Sequence, residues 1–334
     1  MIRRVPLDVS RRSLLAAACT LGVWRHELAS ASRRDASPAA AAPAWQTAAP
    51  LPAAGSEFAA ALIGTSVFVA GGFGMEQRMF RLEIETNSWS EAAPLPAPRH
   101  HVGLAAWNDA MYLAGGFDAA HAAVDTLWRY DANADEWEDL PPLVQGARGA
   151  LGATAIDGRI YTVGGVTQGM GGPAIADAAR FEIASGEWEM LDPMPTAREH
   201  LAVAQADGLV IAIGGRNGLD VDLRMAGATE AFDPATGSWE QRAPLPVPRS
   251  GMGVATSGDA VYVLGGEGAN GVYDDVDRYD PSTDTWEALP RLPIGRHGMA
   301  ASVVDGTLMA IGGSTLAWDI RNVTDVDTLT LEQP

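Results

Sequence analysis

The chain has 334 residues, 47% of them hydrophobic, and a mean hydropathy near zero, which supplies a sizeable core and argues against an integral membrane protein. All basic residues are Arg, 23 against 42 Asp and Glu, and a net charge of -19 repels a phosphate backbone or an anionic membrane, so nucleic acid is excluded as a partner. The 37 Gly and 21 Pro point to many tight turns and an all-β chain.

At the N-terminus, Ser10, Arg11, Arg12, Ser13, Leu14 and Leu15 form an S-R-R-x-L-L pattern before a mild apolar stretch, Ala16 to Trp24. This resembles a twin-arginine export signal, which serves a route for already folded proteins. Ala29, Ser30 and Ala31 make an A-x-A site, so residues 1–31 read as a cleaved signal peptide and the expected location is periplasmic or extracellular. About nine to twelve apolar residues are too few to cross a bilayer, and no transmembrane span is expected after processing. Lipid anchoring at Cys19 is the less favoured reading, because the apolar run before it is only Leu14 to Ala18. Cys19 is the sole cysteine, so the processed chain holds no disulfide. Residues 32–44, rich in Ala, Ser and Pro, read as a disordered linker.

Beyond it the chain repeats. Glycine pairs begin at Gly71, Gly115, Gly164, Gly214, Gly265 and Gly312, at intervals of 44, 49, 50, 51 and 47 residues. Trp45, Trp89, Trp137, Trp188, Trp239 and Trp286 keep step, at 44, 48, 51, 51 and 47. One unit reads as four antiparallel strands: Val102 to Trp107, Met111 to Ala114 ending in Gly115 and Gly116, Thr126 to Tyr130, and a strand opening on Trp137. Glycine at the end of the second strand allows positive φ and close backbone approach, and each Trp supplies an apolar face to pack between units. Asp131, Asn133 and Asp135 mimic the start of a calcium loop, but Glu136 and Pro142 replace the required Gly and Glu, so a short turn is expected.

The glycine pair with Tyr130 and Trp137, or Tyr279 and Trp286, downstream resembles the kelch family. The resemblance covers residues 45–334 and implies a six-bladed β-propeller with four antiparallel strands per blade. The last unit lacks a Trp strand, while Trp45 to Pro52 (W-Q-T-A-A-P-L-P) nearly repeats Trp89 to Pro96 (W-S-E-A-A-P-L-P). The N-terminal strand is therefore expected to close blade six and hide the open edges.

In such a meander the loops between blades and those after the glycine pairs share one face. Five blades open with an Arg at one register, Arg99, Arg148, Arg198, Arg249 and Arg296, whereas blade one has Gly55 there and Glu57 two residues later. Guanidinium groups at one register would suit an anionic ligand, held bidentately; the competing role is hydrogen bonding to a neighbouring blade or pairing with a carboxylate. Next to these Args stand His100, His101, His200 and His297, and His121 follows the second glycine pair, so all five histidines of the processed chain are expected on this face. The candidate ligand-binding set is thus Arg99, Arg148, Arg198, Arg249, Arg296, Glu57, His101, His200 and His297, with Glu199 as a further carboxylate and no catalytic residue assigned. Phe73, Met75, Phe117, Arg216, Asn217, Glu267 and Asn270 add loop side chains of the kind found in sugar or peptide sites. Different blades hold the His and Glu groups about 10 Å or more apart across the channel, so no metal and no cofactor is expected.

Zinc-protease, phosphate-loop and serine-elbow motifs are absent. Kelch-fold copper radical oxidases require a cysteine crosslinked to tyrosine, which the processed chain cannot supply. The expectation is a monomeric, non-enzymatic binding module outside the cytoplasm that holds a carbohydrate, peptide or protein partner, an anionic one included. Alternatives are an enzyme resembling the sialic-acid mutarotases, which epimerise an anionic sugar, and a structural envelope protein.

Overall fold

Val, Ile, Ala, Tyr and Phe fill the five-residue strands of each unit, and Asn, Asp or Gly in left-handed backbone, such as Asn108 at φ 53°, turn the chain between them. The computed structural model describes residues 44–217, 224–317 and 320–331. The signal-peptide reading of residues 1–31, with Cys19, and the linker reading of residues 32–44 except Ala44 lie outside these residues.

Among the described residues the strands form six four-stranded antiparallel sheets and two short hairpins, without a helix. The sheets are the six expected blades. Blade two shows the pattern: Gly103–Trp107, Ala110–Ala114, Leu127–Asp131 and Glu136–Leu140, within a residue or two of the expected limits. Blade six is closed by the N-terminal strand, in which Gln46 pairs with Thr328 and Thr47 with Asp327.

Apolar cores lie between blades. Phe68 and Met79 of blade one, for example, pack with Met111, Leu113 and Tyr130 of blade two. The Trp series seals the outer rim of these cores but is half-buried, since it stands on the outermost strands. Each indole makes a second link: Nε1 donates to a backbone carbonyl of the preceding blade, from Trp45 to Pro290, Trp89 to Ala49, Trp137 to Ala93, Trp188 to Pro141, Trp239 to Asp192 and Trp286 to Ala243. Burying the ring while pairing its N–H explains why Trp and not Phe holds the position.

Nearer the axis, the second glycine of each pair donates its N–H to the register-position carbonyl of the next blade, as Gly116 does to Arg148 at 2.9 Å and Gly313 to Gly55 at 2.9 Å. The first glycine makes that approach possible. A Cβ on Gly115, at φ 59°, would stand 2.4 Å from the Arg148 oxygen. The Asp131 turn is short, as expected, with its carboxylate accepting from the N–H groups of Asn133 and Ala134.

Deleting residues 45–52 removes the strand pairing with Val326–Thr330 and the Trp45 link to blade five. The truncated chain is expected to lose the monomeric fold, checked by gel filtration and thermal melting; a soluble, cooperatively melting monomer would refute closure by this strand.

Candidate functional site

Six inner strands converge on the axis with small residues, among them Ala60, Ala105, Ala153, Ala204, Ala255 and Ala301, and enclose a channel of about 380 Å³. At the loop face this channel is capped. Glu57, His101, Ala150, His200, Gly251 and Gly298, each two residues past the arginine register, form a ring around the axis. Each N–H donates to the carbonyl of the preceding member: Glu57 to Gly298 (2.7 Å), His101 to Glu57 (2.8 Å), Ala150 to His101 (2.9 Å), His200 to Ala150 (3.0 Å), Gly251 to His200 (3.0 Å) and Gly298 to Gly251 (2.8 Å).

Such a ring demands left-handed backbone at every member, with φ between 51° and 61°. For residues other than glycine this costs about 1–2 kcal/mol each, so Glu57, His101 and His200 are held there against a local preference for glycine. Their side chains meet at the channel mouth, where one ligand atom of each lies within 4.8 Å of the others. The expected separation of about 10 Å or more is therefore corrected: the ring draws three blades together. Glu57 also lies 3.5 Å from His297 Nε2, and His297 lies 3.6 Å from Glu267.

Glu199 and Arg216, neighbours across the bridge between the loop entering blade four and the loop after its glycine pair, complete the cluster. Arg216 is clasped by Glu199 and by Glu267, the latter at 2.5 Å, and its Nη2 lies 3.2 Å from His200 Nε2; Glu199 also holds His200 Nδ1. Burial raises the Glu199 pKa, but His200 and Arg216 outweigh it and bring the carboxyl down to about 2. Burial lowers the Arg216 pKa, yet the Glu199 and Glu267 carboxylates more than offset this and raise it. His101 is held well below the usual imidazole range by burial first, then by His200, His100 and Arg216. His100, stacked on Phe73 and 2.6 Å from His101 through their Nδ1 atoms, is lowered to about 4, mainly by burial and next by His121.

The five register arginines sit elsewhere. Arg148, Arg198, Arg249 and Arg296 are buried inside the blades, where they donate to backbone carbonyls and pair with Asp177 (3.5 Å), Glu230 (3.1 Å), Asp277 (2.7 Å) and Asp327 (2.7 Å). Arg99 lies 4.5 Å over the Trp128 ring and donates to the Pro98 carbonyl. These groups tie blade entrances to the sheets, and the geometry gives a ligand on the loop face no access to them. Of the expected set, Glu57, His101, His200 and His297 converge. Arg216 and Glu267 belong with them, and the signal that marks them is their position directly after a glycine pair, opposite the residue that follows the register.

A family model described as the KLHDC2/KLHL20/DRC7 Kelch-repeats domain matches residues 57–244 and 153–333. Beta-scruin of Limulus polyphemus is 29% identical over 150 residues, 42% of this chain and 15% of its own length. Kelch-like protein 15 of Danio rerio is 32% identical over 165 residues, 44% of this chain and 27% of its own length. The matched stretch is thus a minor part of either relative. The solved structure of YjhT is similar in fold, with a TM-score of 0.71 at 17% identity over 83% of this chain and 95% of that one.

The Arg198–Glu230 pair is fully buried, and Thr196 Oγ1 also donates to the carboxylate. Glu230→Ala is expected to cost about 3–5 kcal/mol by leaving a guanidinium buried and unpaired, measured by chemical denaturation. Glu91→Ala, which breaks the exposed pair with Arg78, is expected to cost less than about 1 kcal/mol.

Proposed function

The chain belongs to the kelch-repeat family, and from that premise we propose that it is a non-enzymatic binding module working outside the cytoplasm, with the inter-blade loop face holding a protein, peptide or carbohydrate partner. The carrying observation is where apolar side chains meet solvent. Among the described residues the exposed large hydrophobics are Leu62, Val144, Met170, Met190, Ile294 and Ile320, and all but Leu62 and Met190 belong to loops of that face. Apolar groups left in water on a chain this acidic are what a docking surface offers, because their burial against a partner supplies the non-directional part of affinity.

Export is supported by the S-R-R-x-L-L pattern and the A-x-A site. The alternative of a sialic-acid mutarotase-like enzyme draws its support from the acid–base groups Glu57, His101, His200 and His297 at the channel mouth. The internal pairing of the register arginines weighs against it, because an anionic sugar needs a cation to receive its carboxylate.

The test has two arms. Immobilised protein is screened against glycans and envelope extract, and a retained partner is expected to lose at least about tenfold in affinity with Val144→Asp combined with Ile294→Asp, while Met190→Asp on the outermost strand leaves it unchanged. In parallel, sialic-acid anomerisation is followed by NMR. Acceleration by the protein, or partner binding indifferent to the loop-face substitutions, would overturn the proposal.

A further inference from the structure

Three carboxylates, Glu57, Glu199 and Glu267, share the channel mouth with one guanidinium, Arg216, and all four side chains are at least 87% buried. Arg216 pairs directly with Glu199 and Glu267, while the Glu57 carboxylate faces the imidazoles of His101 and His297.

The hydrogen bonding sets the imidazoles up to be donors of electron pairs. His200 Nδ1 lies against the Glu199 carboxylate, so the proton sits on Nδ1 and Nε2 turns a lone pair into the cluster, where Arg216 Nη2 now faces it at 3.2 Å. A carboxylate behind a histidine is the arrangement that orients metal-bound imidazoles and raises their basicity. His101 places Nδ1 on His100 Nδ1 at 2.6 Å and Nε2 at 3.4 Å from Glu57 Oε2. In the tautomer that donates its Nδ1 proton to His100, His101 turns its Nε2 lone pair toward Glu57 Oε2, so that both atoms can ligate one cation. Glu57, His101 and His200 stand at φ 55°, 55° and 51°, the left-handed backbone that ring closure imposes on every member, Ala150 included, so the same closure that joins the blades fixes the approach of these three side chains.

We propose that Glu57, His101 and His200 bind a divalent first-row transition-metal cation at the mouth of the propeller channel, with one carboxylate and two imidazoles as the protein ligands. This stands apart from the partner-binding reading, which concerns the rim of the same face. Two nitrogen donors favour Zn2+ or Co2+ over Mg2+ and Ca2+, which prefer oxygen. Two imidazoles and a carboxylate leave a position open on a tetrahedral ion. Beside the ring lies a cavity of about 100 Å³ walled by Phe58, Val102, Leu151, Leu201, Met252 and Met299, room for a water or a small ligand. Arg216 yields its contact with His200 and keeps both of its carboxylates.

The full chain, stripped with chelator, is titrated with Co2+ in excess Mg2+. One equivalent is expected to bind, giving visible absorption that Zn2+ displaces, with a rise in melting temperature. Glu57→Gln and His200→Gln are expected to abolish this, and Glu199→Gln, acting through His200, to weaken affinity by about 10–100-fold. Glu91→Gln on the outer rim is expected to leave it unchanged. X-ray absorption of the wild-type Zn2+ complex is expected to show two imidazoles, and it decides the matter even where a variant fails to fold. No binding by the wild type, oxygen-only ligation, or unchanged binding by folded Glu57→Gln and His200→Gln would overturn the proposal.

Discussion

The closed ring of six backbone hydrogen bonds around the axis is the constraint to which the site answers. Each N–H–to–carbonyl link joins one blade to the next, so the ring exists only when all six blades are present and the N-terminal strand has completed the last. Its geometry requires left-handed backbone at every member, and that conformation aims whatever side chain is present toward the mouth of the channel. Bringing together residues from distant parts of the chain is therefore a by-product of closing the circle.

Two further belts repeat the same logic at larger radius. Glycine N–H groups reach the next blade's register carbonyl, and tryptophan Nε1 atoms reach back to the preceding blade at the rim. Between the belts, Arg148, Arg198, Arg249 and Arg296 bind carbonyls and carboxylates within the sheets, and Arg99 lies over the Trp128 ring. A buried guanidinium held by backbone oxygens and a carboxylate, as at Arg249, is costly to leave unpaired.

On this near-sixfold frame, function resides in the departures from symmetry. Ala150 and the two ring glycines contribute nothing chemical, whereas Glu57, His101 and His200, with Glu199, Arg216, Glu267 and His297 around them, concentrate charge and titratable groups on one part of the channel mouth. The surrounding loops expose apolar side chains, so a single face carries both a buried polar centre and a hydrophobic periphery.

The amino-acid sequence by itself determined the blade count, the strand order and the closing strand, because these rest on local demands: a glycine pair where backbone crowds backbone, a Trp where a rim must be sealed and an N–H paired, a fourth-strand text without a blade before it. It also placed all five described histidines on the right face. What it left open was direction. Arg99, Arg148, Arg198, Arg249 and Arg296 stand at one register two residues before the ring and read as ligand contacts or as struts; Asp177, Glu230, Asp277 and Asp327, which capture four of the guanidiniums, lie on third strands or the loops before them, roughly 30 residues downstream. Only the tertiary structure decided that Glu57, His101 and His200 meet, since the left-handed backbone that turns them inward is imposed by hydrogen bonds from neighbouring blades and not by anything in their own local sequence.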